Sequence, residues 1–304
     1  MLKYRLPSAV LLIALFSLAI WGIYKPYLFW LLPCLAFLGV FFASREMFAI
    51  LKENEPFRKW GFFSAFFLTA AGYLFFRYPS SQRVRVVLAF ALILVFIGTF
   101  LMPLIVGRIK GALNSAAATF LTLLYVPVSF SFLLGVALIG FKCTTMDGRI
   151  FLPYFVAIVK GADIGAYCVG TLFARSPLGN HKFVPEISPK KSIEGVFGGL
   201  FLSLALGVLG ALYLPGVSEA MLRMGGSILS NRELGRIIGA VILSLILSLL
   251  GIVGDLVESV WKRDSGIKDS GDYIPGMGGV LDVVDSLLLT APIMYALILT
   301  ISRF

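Results

Sequence analysis

Apolar runs of 17 or more residues recur along this 304-residue chain, and that recurrence restricts its fold more than any other feature. A predominantly apolar stretch of about 17–25 residues suits a helix that crosses a bilayer. The runs lack the strict alternation of a transmembrane barrel strand, so helices, which satisfy their own backbone hydrogen bonds in lipid, are the expected elements. The fold class predicted is all-α: a polytopic integral membrane protein with about nine transmembrane helices, at 8–24, 27–43, 60–76, 86–106, 114–140, 150–174, 193–214, 234–254 and 282–301. Lys3 and Arg5 ahead of the first run resemble a signal peptide, but no small-residue cleavage site follows, so that run is read as an uncleaved first span. Pro127 lies inside the long fifth run and predicts a kink or a split there.

Charge narrows the partners. The formal net charge is +10, but the basic residues are spread over short connecting loops and form no single arm or stripe. Nucleic acid is therefore not expected; anionic membrane lipids and nucleotide phosphates are. Cys34, Cys143 and Cys168 are far apart with no CxxC spacing, which argues against redox or thiolate-metal chemistry. Placing the N-terminus and the loops after even-numbered spans on one side gives that side fifteen of the 26 Lys and Arg. By the positive-inside rule the loops 175–192 and 255–281 then face the cytoplasm. The expected location is a bacterial-type inner membrane with the active site on the cytoplasmic side. Near residue 150 the chain changes character, which divides it into an N-terminal region 1–149 and a catalytic region 150–304. For the first five helices, scaffold, lipid contact and homodimer contact fit equally well.

Against this apolar background, residues 258–286 read ESVWKRDSGIKDSGDYIPGMGGVLDVVDS, and with Asp255 they hold seven of the sixteen acidic residues. Asp255, Glu258, Ser259 and Lys262 are spaced i, i+3, i+4 and i+7, so a continuing eighth helix would carry them as one polar stripe. Their bland reading is a solvated helix end with a Glu258–Lys262 pair. Asp282 and Asp285 open the ninth helix three residues apart, just after Gly276–Gly279, and their charge suits a helix N-terminus. Two carboxylates on one face near others repel unless a cation bridges them, so divalent metal binding is the reading taken. Lys262, Arg263 and Lys268 lie among these acids and offer positive groups to phosphate oxygens.

Asp163 falls in the middle of an apolar span, where a charge persists only with a partner. Lys160, one turn earlier, supplies an intrahelical one; a polar cavity shared with the acidic cluster is the functional alternative. The loop PEISPKKSIEG, 185–195, sets Lys190 and Lys191 before the seventh span, beside Ser188 and Ser192, and suits either phosphate or a plain positive anchor. His181, the one histidine, is assigned no role. No P-loop spacing is present.

Taken together, Ser259, Lys262, Arg263, Lys268, Asp269, Pro275, Gly278, Gly279, Asp282 and Asp285 resemble the C-terminal signature of the phosphatidate cytidylyltransferase family. Met277 stands where that family usually has histidine, and Val283 where it has arginine. Asp163 to Tyr167 with Gly170, followed by SPKKSIEG, is similar to two further family elements. The likeness covers 160–286. It implies transfer of CMP from CTP to phosphatidic acid, giving CDP-diacylglycerol and pyrophosphate. It also implies one or two Mg2+ ions, or a divalent ion beside a monovalent one, on Asp163, Asp255, Glu258, Asp282 and Asp285. Asp282, Asp285, Lys262 and Lys268 would then be catalytic. Ser188, Lys190, Lys191, Arg263, Asp269, Gly278 and Gly279 would bind substrate. A cation-coupled transporter and another metal-dependent lipid phosphotransferase are the alternatives.

Overall fold

The computed structural model describes residues 2–23, 25, 27–140, 147–174, 181–225 and 231–303. It divides into two compact units, 1–138 with 261–284, and 139–260 with 285–304.

The first unit is built from α1 (Leu2–Gly22), α2 (Leu31–Ile50), α3 (Arg58–Arg77), α4 (Gln82–Val106), α5 (Ala112–Leu123) and α6 (Ser129–Leu138). Pro127 neither splits the fifth predicted span into two nor leaves it regular. Residues Leu124–Val128 form a π turn joining α5 to α6, and the combined helix Ala112–Leu138 is long enough to cross a bilayer. Proline has no N–H for the helical ladder, and the wider turn accommodates its ring. Ser131 Oγ donates to the Pro127 carbonyl at 2.7 Å. Met47, Phe48 and Ile50 of α2, Ala65 and Leu68 of α3, and Leu123 and Val126 around the π turn are buried as the core. Trp60 Nε1 donates to Thr99 Oγ1 at 3.0 Å, which satisfies the indole where α3 meets α4.

The second unit contains α7 (Gly148–Phe173), a hairpin of β1 (Lys182–Val184) and β2 (Ser188–Ser192), α8 (Ile193–Tyr213) and α9 (Pro215–Gly225). It also takes α10 (Arg232–Asp264) through Val260 and α11 (Val280–Arg303) from Asp285. The hairpin pairs Lys182 with Ser192 and Val184 with Ser188 across a bulge. Both it and α9 fall where the sequence reading placed only loops.

Among the described residues, seven helices are long and apolar enough to span a membrane: Leu31–Ile50, Gln82–Val106, Ala112–Leu138, Gly148–Phe173, Ile193–Tyr213, Arg232–Asp264 and Val280–Ile301. The protein is integral to the membrane. The other two predicted spans are helical but fall outside these seven: α3, and α1 with its shorter apolar stretch Pro7–Gly22, so the count of nine is not fixed by the fold.

Without a hydrophobic drive between helices in lipid, close association needs small residues that let backbones meet. α7 and α8 show this. A Cβ on Gly165 would lie 2.5 Å from the Gly198 carbonyl oxygen, and one on Gly199 would lie 2.5 Å from that of Ala162. Tyr154 ties the far end of the pair by donating to the Gly207 carbonyl at 2.9 Å. Gly199→Val is expected to destabilise the fold by about 1–3 kcal/mol through overpacking. Truncation of the exposed Phe201 to Ala should stay within about 0.5 kcal/mol. Thermal unfolding in detergent distinguishes the two.

Candidate active site

In the first unit the polar segment is organised around the start of α11. α10 ends at Asp264, and Gly266, with φ of +68°, turns the chain while Ile267 N donates to the Lys262 carbonyl at 2.8 Å. A second reversal closes where Ile274 N donates to Gly278 O at 2.9 Å. The next residues carry the N–H groups that no helical carbonyl can reach at a helix start. Two carboxylates take them. Asp282 Oδ2 accepts from Gly279 N at 2.8 Å and from Ser270 N at 3.0 Å. Glu46 Oε1 accepts from Val280 N at 2.8 Å, and its Oε2 from Leu281 N at 2.7 Å and Ser270 Oγ at 3.0 Å. The helix-start dipole favours negative charge here as well.

The same arrangement explains the glycines. A Cβ on Gly279 would come within 2.2 Å of Ser270 Oγ and 2.5 Å of Glu46 Oε2. Gly278 has φ of +95°, and a Cβ there would meet Asp282 Oδ2 at 2.5 Å. The other oxygen of Asp282 accepts from Lys262 Nζ at 2.6 Å, and both side chains are about nine-tenths buried. A lysine ammonium, a carboxylate and a row of amides thus converge on one turn of helix.

In the second unit, Lys160 is the centre. Its Nζ donates to Asp163 Oδ2 at 3.0 Å and to Ser286 Oγ at 2.6 Å, and lies 3.7 Å from Asp285 Oδ1. Ser286 Oγ lies 3.2 Å from Asp163 Oδ2, and Ser286 N donates to Asp285 Oδ1 at 2.6 Å. The intrahelical Lys160–Asp163 pair therefore exists, and it is also shared with α11. Lys191, on β2, reaches Asp255 Oδ2 of α10 at 2.7 Å. Ser259 Oγ is 3.4 Å from Asp255 Oδ1, as expected for a helix that continues past 254. Glu258 is fully buried on that helix. Ser192 caps α8, its Oγ accepting from Gly195 N at 3.0 Å. His181 Nδ1 sits 2.6 Å from Glu194 Oε1, and Glu194 also accepts from the His181 N–H.

Several anticipated residues are not drawn in. Arg263, in the last turn of α10, and Lys268 and Asp269, on the segment after it, are exposed, and Lys190 is exposed on β2 beside half-buried Ser188. Among the described residues, no three His, Cys, Asp or Glu side chains gather closely enough to hold a metal ion. Asp163, Asp285, Asp255 and Asp282 each face a lysine ammonium. Carboxylate oxygens are the ligand type that a hard divalent ion takes, so these side chains fit such an ion by donor chemistry. Glu46, Ser270 and Ser286 escaped the sequence reading. For Glu46 the signal was an acidic residue just past the predicted end of an apolar span; its partners lie more than 220 residues away.

A family model described as the cytidylyltransferase family matches residues 3–301. The chain belongs to the cytidylyltransferase family. It is 42% identical over 139 residues to a Synechocystis protein named phosphatidate cytidylyltransferase, covering 46% of this chain and 40% of that one. A Staphylococcus aureus protein of the same name is 35% identical over 195 residues, 64% of each chain. These two matches span less than two thirds of the relatives' length. A Haemophilus influenzae protein, again so named, is 33% identical over 306 residues and 96% of each chain.

In this cytidylyltransferase-family chain, Lys160→Met would leave Asp163 and Asp285 without their shared cation. We expect a loss on the order of 1.5–3 kcal/mol, the worth of hydrogen bonds to a charged group. Removing a carboxylate at the same time, as Lys160→Met with Asp163→Asn, should recover part of it. Denaturation midpoints of the single and double variants measure the difference.

Proposed function

We propose that the protein transfers CMP from CTP to phosphatidic acid, releasing pyrophosphate and forming CDP-diacylglycerol. An ionised oxygen of the lipid phosphate attacks the α-phosphorus of CTP. The bond from that phosphorus to the oxygen bridging to the β-phosphate breaks, and the pyrophosphate leaves with its electron pair. The observation that carries this reading is the pairing of lysines with carboxylates, buried at Lys262 and half-buried at Lys160, in both units of a chain matched almost end to end by the cytidylyltransferase family. The names of the relatives support the lipid substrate.

Because the attacking oxygen is already ionised near neutral pH, no strong general base is needed; positioning and charge do most of the work. Lys160, Lys191 and Lys262 are held by carboxylates, and each can exchange a carboxylate for a phosphate oxygen without becoming an isolated buried charge. Arg263, Lys190 and Lys268 are exposed and suit the first capture of the triphosphate. Ser188, Asp269 and the Gly278–Gly279 backbone are proposed substrate contacts. Oxygen donors for Mg2+ are proposed at Asp163, Asp255, Glu258 and Asp285 in the second unit and at Asp282 in the first. An ion bound in either unit would supply neutralisation of the charge on the transferring and leaving phosphates. On the nine-span reading, the excess of Lys and Arg on one set of loops supports a cytoplasmic site, where CTP is available.

Purified full-length protein in detergent, given phosphatidate, Mg2+ and labelled CTP, should yield labelled lipid and pyrophosphate in equal amounts. CTP left unconsumed beside phosphatidate and Mg2+ would overturn the reading. Asp285→Ala and Lys262→Ala should each lower turnover by about 10²-fold or more, the usual cost of deleting one electrostatic contributor. Chelation with EDTA should abolish turnover and added Mg2+ restore it. Activity that persists in EDTA would remove the metal from the scheme.

A further inference from the structure

We propose that Glu46 is a positioning residue for the transfer reaction: it fixes residues 266–281 and so sets Lys262 and Asp282, without touching substrate itself. This rests on the activity proposed above and extends it to α2, which carries none of the motifs that resemble the family.

The argument begins with burial. Glu46 is 1% exposed, and a carboxylate in such a place is retained only where donors surround it. All three of its partners are donors: the N–H groups of Val280 and Leu281 and the hydroxyl of Ser270. Two of these belong to the first turn of α11, where an anion is most favoured. Glu46 and Asp282 then share the segment between them. Ser270 gives its hydroxyl to Glu46 and its N–H to Asp282, while Gly279 N goes to Asp282 and Val280 N to Glu46. Any shift of Ser270 or of 279–281 therefore moves Asp282, and with it the ammonium of Lys262 at 2.6 Å. The absence of a side chain at Gly279 is part of the same device, since a Cβ would strike both Glu46 and Ser270.

Glutamine is the informative replacement. It has the shape of glutamate but only one oxygen acceptor, so its NH2 group would face a backbone N–H across a hydrogen-bond distance. Glu46→Gln should therefore behave much like a deletion. Glu53→Gln, at an exposed position shortly after α2, serves as control.

The test uses full-length protein in detergent, with steady-state kinetics on CTP and phosphatidate and amide hydrogen exchange on the same samples. For Glu46→Gln the expected result is a kcat lower by about tenfold or more, the fold-change that one lost hydrogen bond to a charged group gives. The KM for phosphatidate should stay near wild type. Exchange should quicken at 266–284 and remain unchanged in α7, and Glu53→Gln should match wild type throughout. Faster exchange at 266–284 with unchanged kcat would overturn the proposal, as would a lower kcat with unchanged exchange or faster exchange over the whole chain. A wild-type chain that makes no labelled lipid defeats the activity reading and this proposal together, and that failure shows before any variant is measured.

Discussion

A carboxylate placed among apolar helices must be given donors or a cation, and both units of this protein are arranged around that requirement. In the first, Asp282 has Lys262 on one oxygen and two backbone amides on the other, while Glu46 has three donors. In the second, Lys160 stands between Asp163 and Asp285, and Lys191 answers Asp255. Removing one partner of such a pair costs more than the pair itself contributes, because the remaining charge is left in a poor solvent. The same property suits phosphate chemistry: groups already fixed by their partners need little reorganisation when a polyanion arrives.

Much of this was legible in the sequence because it depends on periodicity and composition. Long apolar runs gave the helical membrane fold, and the i, i+3, i+4 spacing of Asp255, Glu258 and Ser259 anticipated a helix that does continue to Asp264. Pro127 announced an irregularity, although its form, a π turn within a single span, depends on packing. The Lys160–Asp163 pair follows from helix geometry alone. Its extension to Asp285 and Ser286 needs α7 and α11 side by side, which no local pattern encodes.

What stayed hidden has two physical causes. Short elements such as β1 and β2 carry too few residues for a periodic signal. Long-range partners such as Glu46 and Val280 are joined only by tertiary packing. The departures at Met277 and Val283 are informative beside this. Met277 contributes its backbone to the turn before α11, donating to Ile274 O at 2.9 Å, and the bonds that seat Asp282 use neither side chain. The framework that orients the charges thus survives both substitutions.

The reach from Glu46 to the start of α11 also has a consequence for biogenesis. Val280 follows Glu46 by 234 residues, so a ribosome adding about 5–20 residues per second needs roughly 10–50 s to deliver the partner. Throughout that interval α2 carries an acidic group whose final donors have not been made. The nascent chain must keep it hydrated at the bilayer surface, protonated, or shielded by the insertion machinery until the start of α11 arrives.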